Sequence, residues 1–252
     1  MSTEARLPEL DGAPLFLLDE LPEGAELLVG GPEGRHAVDV LRLTPGERVR
    51  VGDGRGTIAE GEVAAAGPDG LRVRVETRLE VPRPEPRLVL VQALPKGDRG
   101  PLAVELATEL GVDRIVPWAA SRCVTRWRED RIAKGVAKWR SAAHAASKQS
   151  RRARVPEVAD LASTRDVCGE LAEADLGIVL HEQARARIST VEVPGRGTVV
   201  IVVGPEGGLT DGEVLAFRAA GAEPARLGPE VLRTSTAGAA ALAAVSLRTR
   251  WA

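Results

Sequence analysis

Tyrosine is absent from this 252-residue chain, phenylalanine occurs twice, and cysteine stands only at Cys123 and Cys168. With so few rings the core must be built mainly from Leu, Val and Ala. The scarcity also argues against a face that stacks successive bases on aromatic side chains. Neither cysteine lies in a C-x-x-C spacing, which speaks against thioredoxin-type chemistry and a zinc site. They read as two buried, reduced thiols of a cytoplasmic protein. No basic region followed by an apolar run opens the chain, so no secretory signal is expected. No apolar stretch approaches the ~20 residues of a membrane span, so no membrane partner is expected either.

Familiar catalytic spacings are missing too. His36, His144 and His181 are the only histidines, which poorly supports a triad, and His36 reads as a helix-surface or core residue. His181-Glu182-Gln183-Ala184-Arg185 begins like a zinc-protease helix, but Arg185 stands where the second histidine belongs. There is no G-x-x-x-x-G-K-[ST] loop and no G-x-S-x-G elbow, and no helix follows Gly52, Gly54 and Gly56. No metal is expected.

The net charge is −2, which by itself suggests no nucleic-acid partner. Its distribution does. Residues 122–154 carry eleven Lys and Arg against two acids, Glu129 and Asp130. Such a one-sided run is the footprint of a phosphate-backbone contact, weighed against a merely solvated helix face.

Residues 1–80 read as short strands with tight turns, the pattern of a small β-barrel. The run 14–18 (PLFLL) is apolar. Residues 33–43 suggest a helix with Val40, Leu41 and Leu43 inward. Residues 48–51, 57–64 and 71–77 alternate, with glycine turns between them. Residues 81–86 (VPRPEP) form a stiff linker, because three alternate prolines favour an extended polyproline conformation. From 87 to 252 strands alternate with helices, which predicts a mostly parallel α/β sheet. Strands are expected at 88–93, 114–118, 176–180 and 198–203. A helix from Pro101 to Leu110 is expected to turn Leu102, Leu106 and Leu110 to one side, and a long basic helix to run from 130 to about 151.

The most informative stretch is 198–238. Its β-branched run 198–203 predicts a strand buried on both faces. It stops at Gly204-Pro205-Glu206-Gly207-Gly208, where glycines let backbone approach a ligand and leave N–H groups free. Thr210 and Glu213 form a capping box for a following helix. A short strand then meets Leu227-Gly228-Pro229-Glu230-Val231-Leu232-Arg233-Thr234, which opens an alanine-rich helix. Two such loops at strand ends are where an open α/β sheet places its ligand.

The order G-P-E-G-G, L-G-x-x-V-L-R-T, alanine-rich helix resembles the SPOUT class of methyltransferases. Within it, the chain is similar to the bacterial RsmE-type family, which methylates N3 of a uridine in 16S ribosomal RNA. His36 to Leu43 with Pro45-Gly46 and Asp53-Gly54, Lys96-Gly97, Trp139, Lys148-Gln149-Ser150 and Val155-Pro156 extend the likeness over nearly the whole chain. The resemblance implies an N-terminal PUA-like β-barrel and a C-terminal knotted α/β domain, the trefoil knot being a rare topology. It implies S-adenosyl-L-methionine held by three segments. These are Leu180, His181 and Glu182; Val203, Gly204, Pro205, Glu206, Gly207 and Gly208; and Leu227, Gly228, Leu232 and Thr236. It implies a homodimer through the C-terminal domain, with RNA of the small ribosomal subunit reaching both protomers. Lys148 and Ser235 stand where many members have glutamate, which puts a general base at 235 in doubt.

Chemistry adds roles. Arg233 is the candidate catalytic group, stabilising negative charge on the uracil oxygens, set against a phosphate or carboxylate partner. Glu206 reads as a loop tie more than a proton acceptor. Arg35, Arg42, Lys148, Arg151 and Arg152 are the candidate RNA-backbone contacts. Two other readings stay open: a SPOUT methyltransferase for another RNA position, and a non-catalytic RNA-binding or ribosome-assembly factor.

Overall fold

The computed structural model describes residues 12–252. They form two compact units. One holds the described residues up to Arg83 together with Ser147–Val155, and the other holds Pro84–Ala146 and Pro156–Ala252.

In the first unit, β1 (Leu15–Leu17), β2 (Glu26–Val29), β3 (Arg48–Gly52), β4 (Thr57–Gly67) and β5 (Gly70–Glu80) make one sheet in the order β1-β3-β4-β5-β2. Alternation in β5 works as its pattern predicts: Leu71 and Val73 are buried, while Arg72 and Arg74 face solvent. The inner face joins Phe16, Leu27, Val29, Val49, Val51, Ala59 and Val63 in a core with few rings. The hairpin turn between β3 and β4 is closed by Asp53, whose carboxylate accepts from the N–H groups of Arg55 (2.7 Å) and Thr57 (3.0 Å).

The helix expected near residue 33 departs from its pattern. Only α1 (Gly31–Arg35) is α-helical, and residues 36–40 continue as a π turn, with Leu41 N–H donating to His36 O at 3.0 Å. The wider turn rotates the inner positions. Ala37 and Leu43 are buried, whereas Val40 (65% exposed) and Leu41 (42%) face outward, against the expectation for those two residues.

In the second unit the elements are β6 (Arg87–Ala93), α2 (Arg99–Glu109), β7 (Arg114–Trp118), α3 (Glu129–Gln149), β8 (Glu157–Val158), α4 (Thr164–Ala172), β9 (Leu176–Leu180), β10 (Ala186–Arg187), β11 (Thr198–Val203), α5 (Asp211–Ala219), β12 (Ala222–Arg226) and α6 (Thr234–Ser246). The last residues of α3, from Ser147 on, cluster with the first unit. The strands form one parallel sheet in the order β10-β12-β9-β11-β6-β7-β8. β11 lies between β9 and β6 with Val199–Val203 buried, which is why that segment is a run of β-branched apolar residues.

Helix α2 also turns differently from its leucine pattern. Leu102 is 43% exposed, and the buried side is Gly100, Ala103, Val104, Ala107 and Thr108. The reason is its neighbour: α2 packs on the alanine-rich α6, and small residues on both allow a close approach. Helix α6 in turn lies on β6 and β11. Where it meets the sheet, Gly238 is so near Leu90 that an added Cβ would sit 3.0 Å from its two methyl carbons.

Candidate functional site

Parallel strands place all their carboxyl ends on one edge of the sheet. The loops after β9, β11 and β12 therefore converge, and they enclose a cavity of ≈ 610 Å³ within the second unit. It is lined by Leu180, His181, Glu182, Val203, Gly204, Pro205, Glu206, Gly207, Gly208, Leu227, Gly228 and Leu232 of the expected cofactor set, and by Arg233. Thr236 is not on the wall; its hydroxyl donates back to Arg233 O at 3.1 Å, one turn into α6. Ser235 is buried.

Each loop has local causes for its shape. In the loop after β11, Gly208 adopts φ +71°, and its N–H donates to Pro205 O at 2.9 Å. The Glu206 carboxylate accepts from Lys96 N–H at 3.0 Å, tying this loop to the one after β6. The loop ends at Thr210, whose side chain caps α5 (Glu213 N–H to Thr210 Oγ1, 3.2 Å), while Glu213 returns to Thr210 N–H at 2.8 Å. The second Glu213 oxygen accepts from Ser121 N–H at 2.9 Å, which joins the loop after β7. Burial opposes the charge on Glu213, but the N–H groups of Ser121 and Thr210 and their side-chain contacts outweigh it and hold the carboxyl below its ordinary range. In the loop after β9, His181 N–H donates to Ala225 O at 3.0 Å, and its Nδ1 accepts from Gln183 N–H at 3.1 Å.

Arg233 is the N-cap of α6, and its carbonyl receives the N–H groups of Thr236 and Ala237. Its guanidinium makes no ion pair among the described residues, so its charge is available to the cavity. The N–H groups of Gly207 and Leu209 likewise find no partner among the described residues. Wall residues that sequence reasoning does not single out for the site include Arg122, Gln183, Asp211 and Arg226. Arg122 is hidden inside the basic run; its cation reads locally as one of eleven.

The candidate RNA contacts lie together in the first unit. Arg35 and Arg42 are exposed, and Arg42 and Arg151 adopt left-handed backbone (φ 54° and 55°). Lys148 pairs with Glu33 at 2.7 Å, and Arg152 is half-buried. Tertiary structure discharges part of the basic run: Lys138 meets Asp98 at 2.9 Å and Arg140 meets Asp160 at 3.1 Å. Arg154 is spent on the carbonyls of Val81 and Arg55. Among the described residues no cluster of His, Cys, Asp and Glu could hold a metal, and no helix is long and apolar enough to cross a membrane.

Comparison with known proteins gives consistent relatives. A family profile described as an RNA methyltransferase domain matches residues 82–246, and one described as an RNA methyltransferase PUA domain matches residues 29–76. The chain is 47% identical over 245 residues to a Mycobacterium bovis protein named ribosomal RNA small subunit methyltransferase E, covering 95% of this chain and 94% of that one. A Bacillus subtilis protein of the same name is 29% identical, covering 91% and 93%. The crystal structure of a ribosomal RNA small subunit methyltransferase E from Neisseria gonorrhoeae, bound to S-adenosyl methionine, superposes with a TM-score of 0.82 at 28% identity, covering 94% and 98%.

Proposed function

This chain belongs to the ribosomal RNA small subunit methyltransferase E family, and on that premise we propose that it uses S-adenosyl-L-methionine to methylate N3 of a specific uridine in 16S ribosomal RNA, in the cytoplasm. The observation that carries the reading is the cavity. Its ≈ 610 Å³ lies in the ~300–1,000 Å³ range of small-molecule sites. Its wall combines Leu180, Leu209 and Leu227 with the uncommitted N–H groups of Gly207 and Leu209, a lining suited to a ligand that is part apolar ring and part hydrogen-bonding edge.

When bound, the cofactor supplies an electrophilic methyl group on a sulfonium centre. The protein's part is positioning and electrostatics. The three loops would hold donor and acceptor in one orientation, an effect that can contribute roughly 7–11 kcal/mol. Arg233 would stabilise negative charge developing on the uracil oxygens as N3 loses its proton. Glu206, already accepting from Lys96 N–H, would keep its loop in place. The target base must leave its stack, because N3 lies on the pairing edge. Arg35, Arg42, Arg151 and Arg152 would hold the RNA backbone, and Lys148 would join them only by leaving its pair with Glu33; such contacts contribute affinity without sequence choice.

Family membership also supports a trefoil knot in the C-terminal domain and a homodimer formed through it. Leu102 of α2 and Leu247 and Trp251 beyond α6 are large apolar side chains left exposed on packed neighbours, as a permanent interface requires. Light scattering should give twice the 26.6 kDa chain mass.

The test has two stages. Calorimetric titration with S-adenosylmethionine should show saturable binding, and its absence would favour a non-catalytic RNA-binding or assembly factor. Labelled cofactor with unmodified small subunits should then place the methyl group on uridine N3. Label on a ribose or another base position would transfer the protein to a different RNA target.

A further inference from the structure

One cation on the cavity wall has no part in that scheme. Arg122 lies in the loop after β7, and its Nη1 donates to two carbonyls of the glycine-rich loop, Gly207 O at 3.3 Å and Leu209 O at 3.0 Å. The backbones touch as well: a Cβ added to Gly207 would lie 3.0 Å from both Cβ and O of Arg122. The preceding residue, Ser121, gives its N–H to Glu213, which anchors the far end of the same loop. By contrast, the side chains of Arg126 and Arg128, next in the basic run, make no ion pair among the described residues.

We propose that Arg122 is a positioning residue of the cofactor loop, distinct from the RNA-binding cations among which the sequence places it. A guanidinium holding both carbonyls fixes the Gly207–Gly208 and Leu209–Thr210 peptide planes, which bracket Gly208, the one residue of the loop in left-handed backbone. Fixed there, the loop keeps the N–H groups of Gly207 and Leu209 uncommitted at the cavity wall. Both bonds leave the single Nη1, so a lysine ammonium can supply two donors, but from a shorter stem without the rigid guanidinium plane, and it reproduces the contact only in part. A side chain at 207 would stand 3.0 Å from Arg122 Cβ and O and so press the loop against its clamp.

The inference rests on the cofactor reading above, and the experiment separates the two. Cofactor dissociation constants are measured by calorimetry, and RNA KM and kcat by methyl transfer at several salt concentrations. Arg122→Ala should weaken cofactor binding by about 10- to 100-fold, the loss expected for hydrogen bonds from a charged donor. Its RNA KM at saturating cofactor, and the salt dependence of that KM, should match the wild type. Arg122→Lys should recover part of the cofactor affinity. Gly207→Ala should weaken cofactor binding in the same way with the guanidinium intact, and it decides the matter if Arg122→Ala does not fold. A raised RNA KM with a shallower salt dependence and unchanged cofactor affinity would make Arg122 a phosphate contact and overturn the proposal. Unchanged cofactor affinity in both Arg122→Ala and Gly207→Ala would overturn it while leaving the cofactor reading standing. Failure of the wild type to bind the cofactor would remove both.

Discussion

Glu213 offers the most direct check on how the site is held. Its side chain is 4% exposed and takes three donors: Ser121 N–H at 2.9 Å, Thr210 N–H at 2.8 Å and Thr210 Oγ1 at 2.9 Å. Glu213→Ala removes the acceptor of two backbone N–H groups that no other described residue replaces. Each orphaned group costs about 1–3 kcal/mol, so the variant should lose about 2–6 kcal/mol of stability. Urea unfolding followed by tryptophan fluorescence suits the measurement, because buried Trp118 stacks edge-on against Phe217 of the same helix as Glu213 at 5.3 Å. The pH dependence is a second readout. The folded-state pKa of Glu213 lies below its ordinary value of 4.5. Between the two values the unfolded chain binds the extra proton, so this contribution is whole above about pH 4.5 and is lost as pH falls through the folded pKa. Wild-type stability should therefore fall more steeply with acid than that of Glu213→Gln. A loss below about 1 kcal/mol in Glu213→Ala, or parallel pH curves for wild type and Glu213→Gln, would refute the idea that this carboxylate ties the loops together.

Three further outcomes are expected. Arg233→Ala should lower kcat by about 10²–10³-fold, the cost of one preorganised donor, with calorimetric cofactor affinity nearly unchanged; equal loss of both would make Arg233 part of the cofactor wall. Replacing Arg35 and Arg151 by glutamine should weaken RNA binding at low salt and reduce the slope of log K against log salt by roughly 0.7 per lost phosphate contact. An unchanged slope would remove them from the interface. Gly238→Ala gains about 1 kcal/mol of helix propensity but overpacks against Leu90 at about 1–3 kcal/mol, so a net loss of up to about 2 kcal/mol is expected, seen as a lower urea midpoint; a gain in stability would mean that Leu90 or α6 shifts to make room.

Local chemistry makes much of this protein legible in its sequence. The β-branched run of β11, the Thr210–Glu213 box and the alternation of β5 each depend on residues within a few positions, so period and cap chemistry are enough. So is the gathering of the two glycine-rich loops after β11 and β12, because parallel strands end on one edge, whereas the loop after β9 enters only through the family resemblance. A second box, Ser163 with Asp166, starts α4 by the same rule, and its spacing is just as plain in the chain.

What depends on distant neighbours is decided elsewhere. The inner face of α2 follows from the small residues of α6, not from its own leucines. The π turn after α1 sends Val40 and Leu41 outward where a regular helix would bury one side of them. The basic run is the clearest case. Its sequence shows eleven cations of one kind, and tertiary contacts divide them: Lys138, Arg140 and Lys148 meet carboxylates, Arg154 meets carbonyls, and Arg122 meets the glycine loop. By itself the sequence determined the elements, the glycine loops and the sign of the charge, because these are local properties of the chain. Only the folded structure decided which charges remain free and which hold the site, because a charge is neutralised by whatever stands beside it in space.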